Sequence, residues 1–153
     1  MKAVCVVDTS IFCEILALPG KSSLLADEHR KEFVTKAKSG EALLLPLAVV
    51  IECGNHVGQI RNGHARQSAA VAFVKQVTNA LAGTAPFTIT PLLRLDEWST
   101  MLARFPEWAL LYQSGIGDLS IVDVYERQCV LHPHRRVYIW SLDKHLAGYD
   151  RRP

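Results

Sequence analysis

Four carboxylates stand where a strand-like run gives way to a loop or to the start of a helix. Asp8 follows Ala3, Val4, Cys5, Val6 and Val7; Glu52 lies in the second turn of the helix predicted after Ala42, Leu43, Leu44 and Leu45; Asp118 follows Gly115 and Gly117; Asp143 follows Val137, Tyr138, Ile139 and Trp140. In an open α/β sheet the ligand site lies outside the carboxyl ends of the strands, so this placement collects the four acids at one edge. Carboxylates held together without a cation repel by several kcal/mol at an effective dielectric of ~20. Oxygen-only ligands suit Mg²⁺ or Mn²⁺. Beside a phosphodiester such an ion polarises the phosphate and acidifies a bound water, which is the chemistry of metal-assisted hydrolysis. No HxxxH or CxxC spacing is present to specify zinc.

Thr9 and Ser10 follow the first acid directly, where their hydroxyls could bind a phosphate oxygen or a metal-bound water. Arg61 and Arg66 are candidates for holding substrate phosphates. Asp123 is an auxiliary candidate only, because its helical phase sets it beside Glu126 and Arg127 and away from Asp118. His56, one turn after Glu52, could touch substrate, although a lone histidine on a half-apolar helix is more often a packed one. His132 and His134 read as turn residues, and Trp98, Trp108 and Trp140 as core or interface residues. Each acid also has a purely structural reading: Asp8 and Asp118 as helix caps and Asp143 in a turn. Glu52, set within Val49, Val50, Ile51 and Cys53, fits a cap least well.

The elements that must position these residues follow from apolar periodicity. Residues 3–7 form a continuous β-branched run, the pattern of a strand covered on both faces. Residues 11–18 read as a short helix stopped by Pro19 and Gly20, and Ser22 or Ser23 as the cap of a charged helix reaching about Gly40. Pro46 suits the first turn of a helix that ends at the breaker pair Asn62 and Gly63. From His64 to Leu81 the residues Ala70, Phe73, Val74, Val77 and Leu81 form one apolar stripe. Phe87 to Thr90 reads as a third strand, residues 94–112 as one or two helices interrupted at Pro106, and residues 137–140 as a fourth strand. Asp118 heads an inward stripe of Ile121, Val122, Tyr125 and Cys129. Strands alternating with helices predict an α/β domain with a mainly parallel sheet of four to five strands and helices on both faces.

A chain of 153 residues with 49% apolar side chains predicts a single domain over residues 1–153. Its formal charge of +2 is too slight to mark a nucleic-acid partner by itself. The four cysteines are widely spaced among apolar neighbours, as free thiols in a reducing compartment are. Asp8 and Glu14 interrupt the apolar start before it reaches signal-peptide length, and no apolar stretch approaches transmembrane length. The expectation is an unexported, cytoplasmic protein without a membrane association. Apolar surface on the long helix from His64 predicts a homodimer.

The order of Val-Val-Asp8-Thr-Ser, Pro46 to Glu52, Gly117-Asp118-Leu-Ser-Ile-Val and Ile-Trp-Ser141-Leu-Asp143 resembles the PIN-domain ribonuclease family over nearly the whole chain. Within that family it is most similar to the VapC-type toxins of VapBC toxin–antitoxin pairs. The resemblance implies a PIN-like three-layer sandwich and Mg²⁺- or Mn²⁺-dependent cleavage of RNA. It also implies inhibition by a small antitoxin protein. Asp8, Glu52, Asp118 and Asp143 match the family's acids, and Ser10 and Ser141 its hydroxyl positions, with Ser141 standing where threonine is commoner. Two alternatives come from other classes. One is a catalytically inactive PIN-like binding or scaffold module. The other is an aspartyl-phosphate phosphatase built on Asp8, disfavoured because Ser10 stands where such enzymes carry a second aspartate.

Overall fold

The computed structural model describes residues 1–153. Its centre is the β-branched run near the start: β1 (Val4–Val7) is buried along its whole length, as a strand covered on both faces must be. On one side it pairs with β2 (Ala42–Pro46), which pairs in turn with β3 (Phe87–Thr90). On the other side lies β4 (Val137–Trp140), and the short β5 (Asp150–Arg151) closes that edge. The order is β3-β2-β1-β4-β5, parallel throughout except for the antiparallel β4–β5 pair. Register aligns Phe87, Leu43, Cys5 and Tyr138 in one row across the sheet. The parallel strands therefore end together, and the segments leaving β1, β2 and β4 emerge at a common edge.

Seven helices connect and cover the strands: α1 (Thr9–Leu16), α2 (Ala26–Ser39), α3 (Leu47–Gly58), α4 (Gly63–Leu81), α5 (Leu95–Tyr112), α6 (Ile116–Leu131) and α7 (Lys144–Ala147). Aromatic contacts fasten several of them. Phe33 of α2 stacks on Phe87 at 4.7 Å, while Phe12 of α1 meets Phe87 edge-on at 5.7 Å and Phe73 of α4 at 6.4 Å. This is the predicted α/β architecture with its mainly parallel sheet.

Several local expectations are corrected. The pair Asn62 and Gly63 starts a helix and does not end one: the Asn62 side chain accepts the Ala65 N–H at 2.9 Å, so it caps α4, and α3 has already stopped at Gly58. On α4 the inward face is Ala69 and Ala80 with the half-buried Ala70, Phe73 and Val77, so three of the five expected residues pack inward, whereas Val74 and Leu81 are exposed. Neither serine caps α2. Its cap position is Leu25, and the Ser23 N–H and hydroxyl donate instead to the buried Glu14 at 2.6 and 2.9 Å, which also receives His29 Nδ1 at 2.9 Å. Pro106 lies inside a continuous α5, held by the buried Met101 and Trp108 on either side of it. On α6 the fully buried residues are Leu119, Ile121 and Val122, with Tyr125 and Cys129 half-buried.

Candidate active site

Asp8 leaves the end of β1 at the cap position of α1, yet its side chain accepts no helix N–H. Its Oδ2 takes two hydroxyls instead, Ser10 Oγ at 2.8 Å and Ser141 Oγ at 2.6 Å. The residue is 5% exposed. The capping explanation for this acid therefore fails, and a buried charge is held in a fixed orientation without a helix to serve.

Glu52 projects from α3, where Thr9 donates to its Oε2 at 3.1 Å and His56 Nε2 stands 3.8 Å from its Oε1. The N-terminal turn of α6 lies against the same carboxylate: a Cβ on Gly117 would sit 3.7 Å from Oε2. Asp118, one residue further, is half-buried and accepts the Ser114 hydroxyl. Burial raises the Asp118 carboxyl above its ordinary value; the Ser114 bond opposes this, while the charges of Asp8 and Asp143 add to it. Asp143 does cap a helix. Its Oδ1 accepts the His145 and Leu146 N–H groups at 2.7 and 3.1 Å, starting α7, a four-residue helix too short for apolar periodicity to mark.

All four acids line one cavity of about 260 Å³, together with Thr9, Ser10, Cys13, Lys21, His56 and Leu146. None of the four is ion-paired with a lysine or arginine, and only Glu52 has a histidine within pairing distance. Acids elsewhere are commonly neutralised by arginine: Asp27 by Arg30, Glu126 by Arg104, Glu97 and Asp123 by Arg127, Asp150 by Arg136. Carboxylate oxygens that no lysine or arginine pairs with, although Lys21 lines the same cavity, are the donor type of a hard divalent ion. The side chains are not drawn into a closed cage, and no three acidic, histidine or cysteine residues converge as a ready ligand set.

Ser141 joins two of the acids, since its oxygen donates to Asp8 and accepts the Asp143 N–H at 3.0 Å. The other candidates divide. Asp123 does not join the acids: Arg127 Nε binds it at 2.7 Å, and it lines a separate, largely apolar cavity between α5 and α6. Arg66 is turned to the backbone, donating to the Ile60 carbonyl at 2.8 Å. Arg61 is exposed and lines a groove that shares Lys21 and His56 with the acidic cavity. Sequence reasoning missed Lys21, which sits in the loop after α1, and Ser114. The one signal for Ser114 is its position four residues before Asp118 and next to a glycine.

The sequence matches no protein-family model and no curated protein. The fold is similar to a solved one: VapC20 of Mycobacterium tuberculosis, a toxin that cleaves the sarcin–ricin loop. The likeness has a TM-score of 0.61 over 97% of this chain and 99% of that chain, at 14% sequence identity. The chain thus has a VapC-like, PIN-like α/β fold, with its candidate site at the carboxyl edge of the sheet.

Proposed function

We propose that this chain is a divalent-metal-dependent endoribonuclease, formed as a single domain, and the toxin of a toxin–antitoxin pair. The observation that carries the reading is the cavity in which Asp8, Glu52, Asp118 and Asp143 meet without a lysine or arginine partner. Likeness of fold to an RNA-cleaving toxin supports RNA as the substrate class. In this reading the four carboxylates hold Mg²⁺ or Mn²⁺, which when bound supplies Lewis-acid polarisation of the phosphate and an acidified water. Ser10 and Ser141 keep Asp8 in one rotamer, and Thr9 does the same for Glu52. Lys21, His56 and Arg61 offer donors to phosphates flanking the scissile one. A small antitoxin protein, a homodimer and a cytoplasmic location belong to the same proposal. No helix is long and apolar enough to cross a membrane.

The test is cleavage of single-stranded and stem-loop RNA with Mg²⁺, Mn²⁺ or EDTA, by the wild type and by Asp8→Asn and Asp118→Asn. Activity that requires the ion and is lost in both variants supports the proposal; activity that survives EDTA or both substitutions ends it. One observation favours a second reading, a binding module without turnover: the acids line the cavity but do not converge as a ligand set. Calorimetry would decide between them, since a binding module takes up RNA but no Mg²⁺.

A further inference from the structure

Three aromatic rings meet beside two of the four acids. Tyr112, the last residue of α5, stacks on His145 of α7 with centroids 4.1 Å apart and planes 21° from parallel. Trp108 packs against both, at 4.7 Å from Tyr112 and 5.2 Å from His145. The cluster is tied to the acidic cavity at two points. The His145 N–H donates to Asp143 Oδ1 at 2.7 Å, and Ser114, two residues beyond Tyr112, donates to Asp118.

Packing alone accounts for Trp108, which is 6% exposed, but not for Tyr112, which keeps 45% of its surface in solvent. A flat ring stacked on one neighbour, backed by a second and left nearly half in solvent is the form of platform on which single-stranded nucleic acids lay their bases, because every base has a π-face. We propose that Tyr112, stacked on His145 and backed by Trp108 beside Asp118 and Asp143, receives one base of a single-stranded RNA substrate. The assignment rests on the nuclease reading of the cavity and adds a base contact to a site otherwise built for phosphate. It makes Tyr112 a binding residue and His145 its positioning residue.

The test uses the full chain carrying Asp8→Asn, so that binding is read without turnover. Affinity is measured for a short single-stranded RNA and for a series in which one abasic nucleotide is moved along it. Tyr112→Ala is expected to weaken binding of the intact RNA about tenfold, the order of one lost stacking contact. Tyr112→Trp is expected to retain it. An abasic nucleotide at one position should weaken the Tyr112-containing protein equally, and Tyr112→Ala should cost nothing further there. Should Tyr112→Ala unfold, Tyr112→Leu keeps the apolar bulk without the ring and should show the same pattern. An equal loss across every abasic RNA, or no loss, overturns the proposal while leaving the nuclease reading intact if the wild type cleaves RNA. A wild type that neither binds nor cleaves RNA overturns both.

Discussion

The hydroxyl of Ser141 lies 2.6 Å from Asp8 Oδ2 across 133 positions of sequence, and it also accepts the Asp143 N–H at 3.0 Å. One side chain therefore fixes the acid after β1 and the acid after β4 relative to each other. Ser141→Ala removes both bonds and is expected to lower stability by about 1 kcal/mol. It should lower single-turnover RNA cleavage about tenfold, because a carboxylate free to rotate is misplaced for much of the time. Ser141→Thr keeps the hydroxyl and should preserve cleavage. Urea unfolding and single-turnover kinetics on the three proteins check this; an alanine variant as active as the wild type would remove Ser141 from the site.

Asp118 is an acid whose charged form burial disfavours, with the charges of Asp8 and Asp143 adding to the effect. Its raised pKa means that the folded state holds its proton more tightly than the unfolded chain does, so the group contributes instability at neutral pH. Without divalent ions, stability should therefore rise as pH falls through the folded pKa of Asp118, which lies above 3.8. Asp118→Asn should abolish that part of the profile and make the ion-free protein more stable, chiefly because a half-buried charge is removed and, after that, its repulsion from Asp8 and Asp143. Saturating Mg²⁺ should raise the melting temperature of the wild type and much less that of Asp118→Asn. Melting curves at several pH values with EDTA or Mg²⁺ test it, and a variant less stable than the wild type in EDTA would refute it.

Much of this site is legible in the sequence because strands buried on both faces leave uninterrupted apolar runs. Val4 to Val7 and Val137 to Trp140 announce themselves, and with them the edge at which Asp8 and Asp143 emerge. Glu52 stands out as an acid in an apolar turn. The illegible part depends on loops and on which of two apolar faces wins. Nothing periodic marks Lys21 or Ser114 as neighbours of the acids, since Lys21 lines the cavity and Ser114 bonds Asp118 from irregular segments. On α4 the expected stripe of Ala70, Phe73, Val74, Val77 and Leu81 is shifted rather than lost: Ala70, Phe73 and Val77 pack inward, but Ala69 and Ala80 take the buried places and Val74 and Leu81 turn to solvent. Trp108 and Tyr112 are i, i+4 neighbours on α5, but His145 joins them only in three dimensions, from a helix of four residues.

Glu14 supplies a second pH signature with the opposite sign. Burial pushes its carboxyl up, but His29, together with the Ser23 N–H and hydroxyl, pushes it down further, so it titrates below its ordinary 4.5. A depressed folded pKa contributes stability that is complete above the unfolded value and is lost as pH falls through the folded one. Glu14→Gln should remove this acid-side dependence. It should also destabilise the protein by about 1–3 kcal/mol at neutral pH, since buried donors lose a charged acceptor. RNA cleavage per folded molecule should be unchanged, because Glu14 does not line the acidic cavity. Acid unfolding monitored by circular dichroism tests the first part, and unchanged acid unfolding in the variant would refute it.

Arg61 and Arg66, alike in sequence, do different work. Arg66 donates to the Ile60 carbonyl at 2.8 Å and so closes the turn between α3 and α4, whereas Arg61 makes no side-chain bond and lines the groove that opens from the acidic cavity through Lys21 and His56. Arg66→Ala should therefore lower stability by about 1 kcal/mol with little change in RNA affinity per folded molecule. Arg61→Ala and Lys21→Ala should leave the melting temperature in place and weaken RNA binding. Each should make the slope of log affinity against log salt shallower by about 0.7, the release expected for one lost contact to single-stranded phosphate. Filter binding at several salt concentrations in the Asp8→Asn background separates the two roles. Equal slopes for Arg61→Ala and the parent would mean that the groove beside the acids does not carry the RNA backbone.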